Sequence, residues 1–163
     1  MQKNEFNATL LLEKKDVFSE KNTSVCFVCT GNTCRSPMAE AVLKHLSKGA
    51  YTVLSAGLAA NEGEPISENA VKALKKAGIE CTPENDYEHH RASNLTEETV
   101  RHCDKIVAIS GRHLMALIYA FPQYAEKMTV MPTDIPDPFM QGEDVYEACL
   151  ESITDCIRRT FAI

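Results

Sequence analysis

The sequence predicts an α/β fold of three layers, in which a four-stranded parallel sheet carries helices on both faces. Short apolar runs typical of buried strands alternate along the chain with longer segments of helical periodicity. Helical segments lie between successive strands, which is the arrangement of βαβ units and therefore of a parallel sheet. The 163 residues are enough for one domain with a substantial core.

Each predicted element is bounded by turn or cap residues. The strands are predicted at 25–29, 51–55, 105–109 and 128–131. The helices are predicted at 38–48, 68–77, a short segment after Thr96, 111–120 and 144–161. Ser36 and Pro37 are expected to be the N-cap and first residue of the first helix, while Ser67 and Thr96 cap two others. On the last helix, one apolar stripe is expected to face the core. This stripe consists of Val145, Cys149, Ile153 and Ile157.

Residues 1–22 differ in character from the rest of the chain. They are polar and charged, with scattered apolar positions and no firm period. We expect them to form an N-terminal extension that is disordered or a short helix; a docking arm for a partner is the alternative. Residues 23–163 are expected to form the folded domain.

Composition and charge exclude several classes of protein. The net charge is −6, and no basic stripe of the kind that binds nucleic acid is present. Seven cysteines at irregular spacing predict free thiols in a reducing compartment, and hence a cytoplasmic protein. The apolar patch at 8–12 is short and flanked by Glu5 and Glu13, unlike a signal peptide. The longest apolar stretch, from Leu114 to Pro122, is well short of the roughly 20 residues of a membrane span.

The segment between the first strand and the first helix has the chemistry of an anion-binding loop. Its backbone N–H groups can curl around an anion at a helix N-terminus, where the helix dipole adds positive potential. Gly31 and Asn32 tolerate the left-handed backbone that such curling needs, and the planar Arg35 guanidinium fits two phosphate oxygens. The loop therefore predicts a phosphate site whose residues are Thr30, Gly31, Asn32, Thr33, Cys34, Arg35 and Ser36.

Cys29 at the start of this loop is the candidate nucleophile. A cysteine at the base of such a nest is expected to be a thiolate at neutral pH and to attack a phosphate ester or phosphoramide in line. Cys26 and Cys29 also form a CxxC pair, so zinc binding, thioredoxin-like exchange and an inert buried cysteine are alternatives. No second pair stands at ligand spacing, which disfavours a zinc site, and the motif lies inside a strand, which disfavours thioredoxin-like exchange.

Phosphoryl transfer to sulfur also needs a proton donor for the leaving group, which later acts as a base for the attacking water. Asp134 and Asp137 both lie in the proline-containing loop after the fourth strand. Asp137 is favoured because Pro138 stiffens the chain after it and Phe139 can shield its carboxyl from water. Asp134 is the alternative.

Four motifs together resemble those of the low-molecular-weight protein tyrosine phosphatases: 28–40, 55–57, 90–92 and 137–139. The likeness spans residues 24–161 in the family's order. It implies a Rossmann-like sheet of four parallel strands, with Cys29 as nucleophile, Arg35 as phosphate clamp and Asp137 as acid and then base. It further implies that Asn32 shapes the loop and Ser36 steadies the thiolate. Substrates would be phosphorylated proteins, with inorganic phosphate as product and inhibitor and no cofactor.

Within this family the likeness is closer to the bacterial protein arginine phosphatases. Thr33 stands where tyrosine-specific members typically carry an aliphatic residue, and residues 58–65 lack the aromatic side chain that such members often place there. Glu62 and Glu64 can attract a guanidinium, although solvated surface glutamates are the alternative. Phosphoarginine is therefore the expected substrate. Phosphotyrosine and a non-catalytic phosphate-binding module are the alternatives.

Two further expectations concern the remaining cysteines. Members of the resembling family can form a reversible disulfide between the positions of Cys29 and Cys34, so the same pair is expected here; simple packing of Cys34 is the alternative. Arsenate reductases resemble this fold and use additional cysteines to move a disulfide. Cys81 and Cys103 are available, but they do not form a close pair in the sequence.

Overall fold

The computed structural model describes residues 22–163. The extension predicted for residues 1–22 therefore lies, apart from Asn22, outside the described residues.

In the described part of the chain, four parallel strands form one sheet in the order β2-β1-β3-β4. The strands are β1 Thr23–Cys29, β2 Tyr51–Gly57, β3 Lys105–Ala108 and β4 Met128–Val130. Strand β1 pairs with both β2 and β3: Cys29 lies opposite Gly57 of β2, and Val28 lies opposite Ala108 of β3. The predicted parallel α/β sheet is confirmed.

Within the described residues 22–163, five helices surround the sheet. They are α1 Arg35–Ser47, α2 Glu68–Lys76, α3 Glu97–His102, α4 Gly111–Ala120 and α5 Glu143–Phe161. Two short 3₁₀ segments, Tyr87–His89 and Pro122–Lys127, were not predicted from the sequence. Thr96 caps α3 as expected, since its hydroxyl accepts the Thr99 N–H at 3.2 Å.

The core lies on both faces of the sheet because successive side chains of β1 point in opposite directions. Phe27 and Cys29 pack among residues of α1, α2 and α5. Cys26 and Val28 pack among residues of α3 and α4. The two cysteines of the CxxC pattern are therefore on opposite sides of the sheet, and the pattern does not bring their thiols together.

The start of α1 differs from the prediction. Ser36 was expected to be the N-cap, but the helix begins at Arg35, and Cys34 occupies the cap position without a side-chain cap hydrogen bond. Ser36 lies in the first helical turn, fully buried. Its hydroxyl contacts Cys29 Sγ instead of a helix N–H, because the curled loop turns this residue toward the sulfur. Pro37 is thus the third helical residue.

The buried stripe of α5 was predicted correctly for Cys149, Ile153 and Ile157 and wrongly for Val145, which is only half-buried. Tyr146 is buried in its place. A polar phenol does not stand out in an apolar pattern, yet its hydroxyl accepts from Ser67 Oγ at 3.1 Å. The same contact explains why Ser67, at the N-cap of α2, makes no side-chain cap hydrogen bond.

The carboxyl ends of the four strands lie at one edge of the sheet, as they must in a parallel sheet. Cys29 ends β1, and the segments after β2, β3 and β4 begin at the same edge. Within the part of the chain that the structure describes, no helix is both long and apolar enough to cross a membrane.

Candidate active site

The loop after β1 encloses a cavity of about 240 Å³ at this edge of the sheet. Every residue from Cys29 to Arg35 contributes to its wall, and the remaining lining comes from two other loops: Ala59, Asn61, Glu64, Asp137 and Phe139. Ser36 does not line the cavity and lies beneath it. The structure thus brings together the predicted loop residues and Asp137.

Asn32 organises the loop. It is fully buried and has a φ of 55°, the left-handed conformation expected for it. Its Oδ1 accepts the Ser93 N–H at 3.0 Å, and its main-chain carbonyl accepts from His90 Nε2 at 2.7 Å. The left-handed conformation predicted for Gly31 is not observed, since Gly31 is not among the residues with positive φ.

The amide of Asn32 also takes part in the hydrogen bonds beneath Cys29. Asn32 Nδ2 donates to Ser36 Oγ at 2.9 Å, and an amide nitrogen can only donate. The single proton of the Ser36 hydroxyl is therefore available to Cys29 Sγ, which lies 2.8 Å away. When Cys29 is a thiolate, the Ser36 hydroxyl is the donor of this hydrogen bond, because a thiolate can only accept.

A second branch of the network runs from Asn32 to the surface. Asn32 Nδ2 donates to Ser55 Oγ at 3.0 Å, and Ser55 Oγ donates to Glu40 Oε2 at 2.6 Å. Glu40 in turn pairs with Lys44 at 2.7 Å. Sequence reasoning assigned no role to Ser55, Glu40 or His90, although all three lie within the quoted motifs. Only the fold shows that Ser55 and His90 contact Asn32 and that Glu40 is linked to it through Ser55.

Arg35 forms part of the cavity wall with its guanidinium almost completely buried. Its Nη1 donates to the Ile135 carbonyl at 3.1 Å, and its Nη2 lies 3.5 Å from Asp137 Oδ2. Both contacts come from the loop after β4, so this loop orients the guanidinium at the cavity.

The structure separates the two candidate acids. Asp137 lines the cavity, and its Oδ1 accepts the Phe139 N–H at 3.1 Å. Asp134 Oδ1 instead accepts the Gly111 N–H at 3.2 Å, at the start of α4. Asp137 is 49% exposed and Phe139 is 58% exposed, so Phe139 does not provide the shielding expected of it.

The two glutamates of the 58–65 segment also have different surroundings. Glu62 Oε1 accepts from the Asn94 main-chain N–H at 2.8 Å and from its Nδ2 at 3.0 Å. Glu64 lines the cavity. Of the two carboxylates expected near a cationic substrate, only Glu64 lies at the cavity wall.

Cys34 is buried against Tyr146, with its Sγ 3.2 Å from the phenol oxygen. Burial raises the pKa of the Cys34 thiol, and burial raises the pKa of Tyr146 to about 12. Cys29 and Cys34 line the same cavity, and both are free thiols in the structure. A disulfide between them stays a prediction.

The remaining cysteines lie away from this cavity. Cys81 contacts Asp86 Oδ1 at 3.4 Å, and Cys103 packs on the α3/α4 face of the sheet. Neither can exchange a disulfide with Cys29 in this conformation, which disfavours the arsenate reductase reading. Among residues 22–163, no group of three or more histidine, cysteine, aspartate or glutamate side chains is arranged to hold a metal ion.

Comparison with known families agrees with this geometry. Residues 24–162 match the family model described as low molecular weight phosphotyrosine protein phosphatase. The chain belongs to this family. Within the low-molecular-weight phosphatases the reaction is carried by a cysteine, so the protein is a cysteine-dependent protein phosphatase that acts on phosphorylated proteins.

Relatives among the low-molecular-weight phosphatases cover nearly the whole described chain. A protein-arginine-phosphatase of Geobacillus stearothermophilus is 34% identical over 142 residues, which is 83% of this chain and 91% of the relative. A protein-arginine-phosphatase of Bacillus subtilis is 31% identical over 145 residues, covering 83% of this chain and 92% of the relative. The solved low molecular weight protein tyrosine phosphatase of T. tengcongensis has a TM-score of 0.79 and 36% identity, and the match covers 86% of this chain and 99% of that one.

Gly57 provides a test of how tightly the phosphatase loop is held against β2. A Cβ at this position would lie 2.6 Å from the Thr30 carbonyl oxygen and 3.2 Å from Asn32 Cβ. We expect Gly57→Ala to displace the loop, to destabilise the fold by about 1–3 kcal/mol, and to lower kcat/KM. Gly111→Ala is the control, because a Cβ there meets nothing within 4 Å. Urea unfolding and steady-state kinetics would measure both effects; equal behaviour of the two variants would contradict the expectation.

Proposed function

We propose that this chain hydrolyses phosphoarginine in proteins through a phosphocysteine intermediate on Cys29. The observation that carries the proposal is that Cys29 Sγ, with the Ser36 hydroxyl 2.8 Å from it, lines the same cavity as Arg35 and Asp137. A nucleophile, a cation for the phosphoryl oxygens and a carboxyl for the leaving group are thus available in one place.

In the first step, the Cys29 thiolate attacks phosphorus in line with the bond to the leaving nitrogen. The sulfur–phosphorus bond forms as the phosphorus–nitrogen bond breaks, and the protonated Asp137 carboxyl gives its proton to the departing guanidine. Arg35 and the loop N–H groups stabilise the charge on the phosphoryl oxygens. The Ser36 hydroxyl donates to the sulfur and so holds the thiolate ready for attack.

In the second step, water attacks the phosphocysteine. The Asp137 carboxylate accepts a proton from this water, the sulfur–phosphorus bond breaks, and inorganic phosphate leaves with Cys29 restored as a thiolate. Since phosphate is held by the same N–H groups and by Arg35, it is expected to act as a product inhibitor. In the structure, Asp137 Oδ2 lies 3.5 Å from Arg35 Nη2, so the carboxyl is already at the cavity.

Two features support phosphoarginine as the substrate. Thr33 and Glu64 both line the cavity, where a hydroxyl and a carboxylate can each accept hydrogen bonds from a guanidinium. Asp137 adds a second carboxylate to the wall. The two relatives named as protein-arginine-phosphatases, from Geobacillus stearothermophilus and Bacillus subtilis, match most of the chain.

Phosphotyrosine is the second candidate substrate because of Phe139. This side chain lines the cavity and is largely exposed, so its ring can contact the phenol of a phosphotyrosine. The solved relative from T. tengcongensis is named as a tyrosine phosphatase. Residues 58–65 supply no second aromatic ring to complete a stacking slot.

A reducing compartment such as the cytoplasm suits this chemistry. Cys29 attacks only as a free thiolate, and Cys34 in the same cavity wall offers it a partner for oxidation. We therefore propose that the protein acts in the cytoplasm on phosphorylated protein substrates.

Replacement of the nucleophile tests the central step. Cys29→Ser is expected to abolish turnover of p-nitrophenyl phosphate while retaining phosphate binding, because the loop N–H groups and Arg35 remain. Calorimetric titration with inorganic phosphate would measure binding. Cys81→Ser, away from the cavity, is the matched control and should keep its activity. Turnover by Cys29→Ser would rule out the assignment.

The identity of the acid can be tested with a matched pair of variants. We expect Asp137→Ala to slow the hydrolysis of substrates with poor leaving groups by about 10²- to 10⁴-fold. Asp134→Ala should change the rate little, since Asp134 contacts the start of α4 rather than the cavity. Single-turnover kinetics across a series of aryl phosphates would measure the dependence on the leaving group. If only Asp134→Ala shows that dependence, the acid is Asp134.

Substrate preference is tested by Thr33→Ile. The change replaces a hydroxyl in the cavity wall with an apolar side chain. We therefore expect the ratio of kcat/KM for phosphoarginine peptides to kcat/KM for phosphotyrosine peptides to fall at least about tenfold. This is the effect of losing one hydrogen bond to a charged group. Thr33→Ser retains the hydroxyl and is the control. An unchanged ratio in Thr33→Ile would remove the main basis for the arginine preference.

A further inference from the structure

His113 contacts the phosphate loop from a part of the chain that no motif singled out. It lies in the first turn of α4 and is buried, with 3% of its surface exposed. Its Nε2 is 2.9 Å from Thr30 Oγ1. Thr30 directly follows Cys29, is exposed, and lines the cavity, whereas His113 does not. The imidazole can therefore reach a bound substrate only through the Thr30 hydroxyl.

Contacts on the other side of the ring determine which nitrogen of His113 carries the proton. The Ser110 main-chain N–H points at His113 Nδ1 at 3.2 Å, and a main-chain N–H can only donate. Nδ1 is thus the acceptor, and the proton of the neutral imidazole is on Nε2. Ser110 Oγ, 2.9 Å from the same Nδ1, reinforces this tautomer as part of the capping box that begins α4.

The charge state of the ring follows from its surroundings. Burial, followed by the nearby positive charges of Arg35 and Arg112, lowers the pKa of His113 to about 4, against a smaller opposing effect of Asp137 and Asp134. The imidazole is therefore neutral at neutral pH. At neutral pH its Nε2–H donates to Thr30 Oγ1.

We propose that His113 is a positioning residue that fixes the Thr30 hydroxyl as a hydrogen-bond donor to an oxygen of the substrate's phosphoryl group. Thr30 Oγ1 accepts from His113, so its own proton is directed to another acceptor. Among the groups of a bound substrate that acceptor is a phosphoryl oxygen, since the unphosphorylated nitrogens of a guanidinium are donors. The inference rests on the proposed phosphatase function but not on the preference for arginine.

A double-mutant cycle tests this coupling with p-nitrophenyl phosphate as substrate. Thr30→Val removes the hydroxyl at nearly constant volume, and we expect kcat/KM to fall about 10- to 100-fold, the size of a hydrogen bond to a charged group. His113→Phe should produce a similar loss when Thr30 is present and less than about a twofold loss when Thr30→Val is already in place. Equal losses in the two backgrounds would overturn the proposal and leave His113 with a purely structural role.

A second pair of variants replaces the ring with a side-chain amide. This pair keeps the test valid if His113→Phe fails to fold. His113→Gln can place its Nε2 amide near the position of the imidazole Nε2, so it should regain most of the activity. His113→Asn is shorter and places its amide near Nδ1, out of reach of Thr30, so it should remain impaired. Thermal unfolding would show whether the two variants are equally stable. Equal activity of Gln and Asn variants of equal stability would contradict the positioning role.

Inhibition by inorganic phosphate provides an independent readout. Loss of a donor to phosphoryl oxygens should raise the inhibition constant of phosphate in both Thr30→Val and His113→Phe. A wholly structural effect on Asp137 or Cys29 would instead lower kcat and leave the inhibition constant unchanged. The proposed function has its own test in Cys29→Ser. Activity in that variant would refute the phosphocysteine mechanism even if Thr30 and His113 proved to be coupled.

Discussion

The left-handed backbone of Asn32 is the constraint on which the rest of the site depends. A non-glycine residue in this conformation persists only where its surroundings hold it. Here the side chain of Asn32 bonds Ser36, Ser55 and Ser93, and its carbonyl bonds His90. These contacts turn the loop back over the end of β1. They also hold the Ser36 hydroxyl beside Cys29 Sγ, so one residue controls both the shape of the loop and the surroundings of the sulfur.

The sheet provides a rigid frame for this loop. Gly57 at the end of β2 lies opposite Cys29, and the N–H groups of Leu58 and Ala59 bond the carbonyls of Cys29 and Thr30 at 3.0 Å each. A side chain at Gly57 would occupy the space taken by the Thr30 carbonyl. The loop therefore continues the pairing of β1 with β2 beyond the strands themselves, and this close approach is possible only for glycine.

Neutral buried groups surround the charged centre of the site. His113 on one side and the Cys34–Tyr146 pair on the other are held in uncharged forms by burial. Arg35 is the buried cation at the cavity wall, and it contacts the loop that carries Asp137. A substrate phosphoryl group would thus meet a fixed positive charge and fixed N–H and O–H donors, with few mobile charges to reorganise.

The sequence by itself determined the order of strands and helices, the parallel sheet, the loop from Cys29 to Ser36 and the two candidate acids, Asp134 and Asp137. These follow from local patterns: apolar runs, cap residues, and a Cys and an Arg in a short segment of turn residues between a strand and a helix. The tertiary structure alone decided that Cys26 and Cys29 face opposite sides of the sheet, that Tyr146 rather than Val145 is buried, and that Asp134 belongs to the start of α4. It also brought His90, Ser55 and His113 to the loop, from positions 58, 23 and 83 residues away from their partners. Such contacts have no local signal, because they depend on which segments the sheet order places side by side.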